Sequence, residues 1–161
     1  MPLSTLREFL DRNHIKYLVI SHSVAYTAQG IAALTHIKGQ ELAKTVILMI
    51  DGRPAMAVVP ASFRVDLFKL KRYLGAGTVE LATENQFRDH FPDCETGAMP
   101  PFGNLYGLDV FADISLTEDK EIAFNAGSHR ELVRMNFADF RELVKPVLIP
   151  LAAGKAGAHA A

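Results

Sequence analysis

Apolar residues at Leu6, Phe9 and Leu10 recur at helical spacing behind the capping pattern Thr5-Leu6-Arg7-Glu8, which predicts an amphipathic first helix ending near Asn13. The run Tyr17-Leu18-Val19-Ile20 predicts a short buried strand. Thr27 is placed to cap a second helix carrying Ile31 and Leu34 before Gly39 interrupts. The strongest strand pattern is Thr45-Val46-Ile47-Leu48-Met49-Ile50, followed by Asp51-Gly52 and the apolar run 55–59. Two antiparallel core strands joined by a tight hairpin are expected, because both turn residues tolerate positive φ. Asp66 predicts the cap of a helix with Leu67, Leu70 and Leu74 inward and Gly75 as its stop. Thr83-Glu84-Asn85-Gln86 is a second capping box, with a helix running to about Pro92.

From Asp93 to Gly107 three glycines and two adjacent prolines predict an ordered loop instead of a regular element. Strand patterns resume at 108–111 and 121–125. Asn136 can cap a helix with Phe137, Phe140 and Leu143 that stops before Pro146, since proline disfavours helical geometry in the residue ahead of it. There is no internal repeat and no regular βαβ rhythm. The pattern predicts an α+β fold: a single domain over residues 1–151 with a mixed, mainly antiparallel β-sheet flanked by helices. Residues 152–161, rich in alanine and glycine, are expected to be a low-complexity tail outside the fold.

With 161 residues, 49% of them hydrophobic, the chain has apolar material for one core and little room for two domains. Seventeen Lys and Arg against eighteen Asp and Glu give a net charge of −1, so any contact with nucleic acid is expected to rest on a local patch. Charges near the start and the lack of a long apolar run predict a soluble, cytoplasmic protein with no membrane partner. Cys94 is the only cysteine, which excludes an intramolecular disulfide and a thiolate zinc cluster. No two of the six histidines share the four-residue spacing of a helical zinc motif, so no metal is expected. A Gly-x-Ser-x-Gly elbow and a phosphate-binding P-loop are both missing, and Cys94 carries no local mark of a nucleophile.

Three segments remain as candidates for chemistry. Lys44 directly precedes the most apolar strand, where an ammonium can hydrogen-bond a phosphate, a ribose hydroxyl or the oxyanion of an ester under attack. The loop 97–103 carries Gly-x-x-x-Pro followed by Phe-Gly: Gly97 admits close approach of a ligand to the backbone, and Pro101 holds the loop stiff. A side chain added at Gly97 is therefore expected to block a ligand more than it destabilises the fold. Asn125-Ala126-Gly127-Ser128-His129 runs from a strand end into a tight turn.

Taken in order, Lys44 before its strand, the Gly97 to Gly103 loop and the Asn125 to His129 turn resemble the YbaK/prolyl-tRNA synthetase-associated editing domain family over about residues 3–150. The resemblance implies a mixed sheet flanked by helices and a free-standing, trans-acting aminoacyl-tRNA deacylase. Its partner would be the 3′ acceptor end of a mischarged tRNA carrying a small amino acid such as Ala, Cys, Ser or Thr, with an aminoacyl-tRNA synthetase as a further partner. No cofactor is implied. Lys44, Gly97 and Pro101 take the catalytic positions. The substrate-binding positions fall to His22, Tyr26, Thr27 and Thr45, to Met99, Pro100, Phe102 and Gly103 as a facing wall, and to Asn125, Gly127 and His129. The alternative is a non-catalytic module of the same fold that binds tRNA or a synthetase.

Overall fold

Eight strands hydrogen-bond into one mixed sheet in the computed structural model, which describes residues 3–24, residue 30 and residues 41–155. The strands are β1 (Tyr17–Ser21), β2 (Leu42–Ile50), β3 (Arg53–Pro60), β5 (Val79–Leu81), β6 (Val110–Asp113), β7 (Glu121–Asn125), β8 (Glu131–Asn136) and β9 (Val147–Ile149). Their order is β1-β8-β7-β2-β3-β6-β9, with β5 also on β2. The β1/β8, β8/β7, β2/β3 and β2/β5 pairs are antiparallel, whereas β7/β2, β3/β6 and β6/β9 are parallel. A second sheet pairs β4 (Phe63–Val65) with β10 (Ala152–Lys155). The helices are α1 (Leu3–Arg12), α2 (Leu67–Leu74), α3 (Glu84–Phe87) and α4 (Phe137–Val144).

Local chemistry accounts for several of the element ends. Asp51 and Gly52 take φ of 49° and 81°, the two positive values that a tight turn between β2 and β3 requires. The Asp66 carboxylate accepts from Lys69 N at 2.9 Å and starts α2, which Gly75 ends. Thr83 and Gln86 close a reciprocal capping box at α3, yet that helix lasts a single turn and passes into a 3-10 turn over Arg88–His90. Asn136 sits at the start of α4 without a side-chain capping bond.

One face of the sheet carries the main core. Leu6 and Leu10 of α1, Ile47, Met56 and Val58 of the central strands, and Phe124 and Phe140 are all buried there around Phe102. The Phe102 ring lies 5.5 Å from Phe124 and 5.6 Å from Phe140, centroid to centroid. The other face is covered in part by α2, whose Leu70 is fully buried against Leu48, Ala57 and Val59. Each such side chain removed from water contributes roughly 2 kcal/mol.

Several expectations are corrected. α1 begins at Leu3, so Thr5 lies inside it and its hydroxyl donates to Asp93 Oδ2 instead of capping. β1 is an edge strand and not a buried one: Leu18 is 60% exposed. β2 starts at Leu42, which places Lys44 within the strand, opposite Val59 of β3. Residues 152–155, expected in the tail, form β10, because the Asp113 carboxylate accepts from the Leu151 and Ala152 backbone N–H groups and fixes this segment. The expected helix after Thr27 lies outside the described residues. Among the described residues no helix is long and apolar enough to cross a membrane.

Candidate active site

The parallel strands β2 and β7 pair only at Leu42 with Ala123 and Ala43 with Phe124. Further along that edge, β5 joins β2 at Leu48, and Ile47 O accepts from Ala82 N. Residues 44–46 are thus left without a strand on that edge among the described residues. Openings of this kind, beyond the carboxyl ends of parallel strands, are where mixed and parallel sheets hold ligands.

Because side chains alternate across a sheet, Lys44 shares a face with Leu42, and Asn125 with Ala123. Extending the register by one residue brings Lys44 and Asn125 into line at the opening. Lys44 is half-buried, and burial lowers its pKa from the ordinary lysine value because the ammonium gives up hydration. The Asn125 Oδ1 atom is buried with no hydrogen-bond partner among the described residues. His22 follows β1 on the same side of the sheet. Its backbone N–H donates to Arg130 O at 2.8 Å and its Nδ1 lies 2.6 Å from Ser23 O, while its Nε2 is buried with no partner among the described residues. Buried polar atoms in native proteins nearly always find partners, so such a pair on one face marks a place built for further polar contacts.

The loop and turn of the sequence motif meet at the rim. Ala98 N donates to Glu95 O at 3.0 Å, closing a turn whose third residue, Gly97, takes the φ of 83° that a type II turn demands. Gly127 N donates to Ala98 O and Glu95 N to Gly127 O, each at 2.8 Å, so the loop is laced to the chain leaving β7. His129 secures the same junction twice: its backbone N–H donates to Glu95 Oε1 at 2.7 Å, and its Nε2 lies 2.8 Å from Thr96 O. A Cβ at Gly97 would sit 3.6 Å from His129 Cε1.

The structure therefore groups Lys44, Asn125 and His22 on one face, with Gly97, Gly127 and His129 in one laced junction. It separates others from them. Thr45 points to the opposite face with Ala43 and Ile47, and its hydroxyl is buried without a partner among the described residues. The wall expected from Met99, Pro100 and Phe102 turns inward: Met99 and Phe102 belong to the main core and Pro100 is buried beside them, as is Pro101, expected at a catalytic position. Gly103 is packed for its lack of a side chain, since a Cβ would meet Val110 Cγ2 at 2.5 Å and Leu108 O at 2.7 Å. Apolar residues after the exposed Gly97 re-enter the core because burial favours them there. Tyr26 and Thr27 lie outside the described residues. Sequence reasoning missed Glu95 and Thr96, which hold His129; an acidic residue two positions before a turn glycine gives no periodic signal. Among the described residues no group of three or more His, Cys, Asp or Glu side chains is gathered to hold a metal ion. Cys94 lies 3.5 Å from Tyr106 Oη, and burial raises the pKa of both groups, which keeps the thiol protonated.

The chain and its fold are similar to known proteins. The chain is 28% identical over 145 residues to the multifunctional Ser/Thr-tRNA deacylase ProXp-y of Escherichia coli, covering 87% of this chain and 86% of that protein. A stretch of 99 residues, 59% of this chain, is 34% identical to part of the proline–tRNA ligase of Nitratidesulfovibrio vulgaris and makes up 16% of that enzyme. The crystal structure of a candidate trans-editing enzyme for prolyl tRNA synthetase matches the fold with a TM-score of 0.82 at 21% identity, over 95% of this chain and 98% of that one. The family model for the aminoacyl-tRNA editing domain matches residues 22–143, and the chain belongs to that family.

Proposed function

We propose that this chain is a trans-acting aminoacyl-tRNA deacylase that hydrolyses the ester between a small, wrongly attached amino acid and the 3′ end of tRNA in the cytoplasm. The observation that carries the reading is the half-buried ammonium of Lys44 at the opening between β2 and β7, in line with the buried Asn125 Oδ1, which has no hydrogen-bond partner among the described residues. An aminoacyl ester is already activated, so hydrolysis needs orientation and charge more than a protein nucleophile. An ordered water, or a hydroxyl of the substrate, attacks the carbonyl carbon. Lys44 then stabilises the negative charge that develops on the carbonyl oxygen, an effect magnified where water is excluded. Asn125 and His22 supply polar atoms for the terminal adenosine or the amino group, and the exposed Gly97 turn lets the ester approach the backbone. No metal enters this mechanism.

The relative's name, a Ser/Thr-tRNA deacylase, makes serine and threonine the first substrates to try. The test is a release assay with tRNA charged separately with Ala, Cys, Ser and Thr, each measured against spontaneous hydrolysis and in the presence of a chelator. Seryl- or threonyl-tRNA is expected to be hydrolysed well above background, with the chelator without effect. Background rates for all four would contradict the reading.

A further inference from the structure

In a chain of net charge −1, the eight residues of α2 hold Lys69, Lys71 and Arg72 and no acidic residue. Leu67, Leu70 and Leu74 turn towards the sheet. At 100° per residue the opposite side is then a stripe of Phe68, Lys69, Arg72 and Tyr73. Phe68 is 70% and Tyr73 55% exposed, although burial of large aromatic rings ordinarily contributes strongly to folding. The Arg72 guanidinium lies over the Phe68 ring at 5.9 Å, and the four side chains, with Asp66, line a groove of about 470 Å³. The Asp66 carboxylate is engaged by the Lys69 backbone N–H, and among the described residues neither Lys69 nor Arg72 forms an ion pair. Exposed rings beside cations that carry no ion pair among the described residues are what unpaired nucleotides require: π-faces for the bases and positive charge for the phosphates.

The position suits the same role. α2 covers Val46 and Leu48, which share the face of β2 that carries Lys44. Lys44 and Leu48 are four residues apart, about 13 Å along the strand.

We propose that the α2 stripe binds unpaired nucleotides of the tRNA next to the acylated end, with Phe68 and Tyr73 stacking on bases and Lys69 and Arg72 contacting phosphates. This rests on the reading of the chain as an aminoacyl-tRNA deacylase. The experiment measures the Kd of uncharged tRNA, intact or trimmed of its unpaired 3′ nucleotides, at several salt concentrations. The proteins compared are wild type, Phe68→Ala/Tyr73→Ala and Lys69→Gln/Arg72→Gln, with a melting curve for each. Both variants are expected to melt like wild type and to bind intact tRNA about tenfold more weakly or worse. The charge variant should also lower the salt slope by about 0.7 for each phosphate that it no longer neutralises. Trimming should weaken wild type and have little further effect on the aromatic variant. Variants that bind intact tRNA like wild type, or a wild type that does not bind tRNA, would overturn the proposal. Because the probe carries no ester, the two readings separate. Weakened binding in the variants alongside a wild type that hydrolyses no ester would leave this surface standing and remove the deacylase; hydrolysis with unaffected variants would do the reverse.

Discussion

Gly97 and Gly103 bound a single sequence motif and do different things. At Gly97 the constraint is conformational: φ is 83° and an added Cβ meets His129 Cε1 at an ordinary 3.6 Å. Gly97→Ala should therefore cost about 1–2 kcal/mol, the strain of an L-residue in left-handed geometry. Gly97→Val should cost more, because a β-branched residue is least able to adopt it, and the expectation that a side chain here spares stability does not hold for valine. Gly103→Ala meets packed backbone and should cost roughly 1–3 kcal/mol through overpacking. Urea denaturation of the three variants, with deacylation measured on each, checks this. A fall in activity beyond the fall in folded protein is expected at Gly97, and one in proportion to stability at Gly103. At this scale the left-handed turn at Gly97 was legible in the sequence because a turn glycine leaves a local mark, whereas Lys44, read as preceding its strand, lies two residues inside it. The inward turn of Met99 and Phe102 was not legible, since an apolar residue beside a glycine loop can face a ligand or the core with the same letters.

Sequence patterning reveals neither β8 nor the last strand, β10. Residues 152–154 carry little side-chain volume; β10 pairs antiparallel with β4, and the buried Asp113 carboxylate anchors its first residue and the one before it. Burial alone would raise the pKa of Asp113, but the Ser115 hydroxyl and the backbone N–H groups of Ala152, Leu151 and Ser115 donate to it and hold it below the usual carboxylate value. A folded-state pKa below the unfolded one means stability that is complete above the unfolded value of about 3.9 and is lost as pH falls through the folded one. Asp113→Ala leaves these donors unpaired and is expected to cost about 2–3 kcal/mol at pH 7. The cost should shrink as pH falls below about 4. Melting curves of wild type and variant from pH 7 to pH 3 test it; a constant difference would mean that the carboxylate charge is not what matters. Helices α2 and α3 were legible because caps are local chemistry. The small strands β4, β5 and β9 were not, because three residues give no periodicity and their partners lie far along the chain.

Over the whole molecule the decisive feature is the order of the strands. A mixed sheet could be read from the alternation of patterns, but the parallel contact of β2 with β7, brief enough to leave an opening at Lys44, depends on a pairing across some eighty residues. On that opening rests the proposal that Lys44 serves the reaction and not the fold. Its half-buried ammonium has a lowered pKa, so the unfolded chain binds the proton more readily. Between the folded pKa and the unfolded lysine value the wild type should gain stability as pH rises, and at neutral pH the buried charge is a cost. The measurement that bears on this most directly compares wild type with Lys44→Met, which keeps the stem and removes the charge. It takes kcat/KM on the mischarged tRNA that wild type hydrolyses best, beside a melting curve for each protein. The account predicts a Tm equal to or above that of wild type with kcat/KM reduced about a hundredfold or more. A folded Lys44→Met protein that hydrolyses the ester as fast as wild type would contradict it.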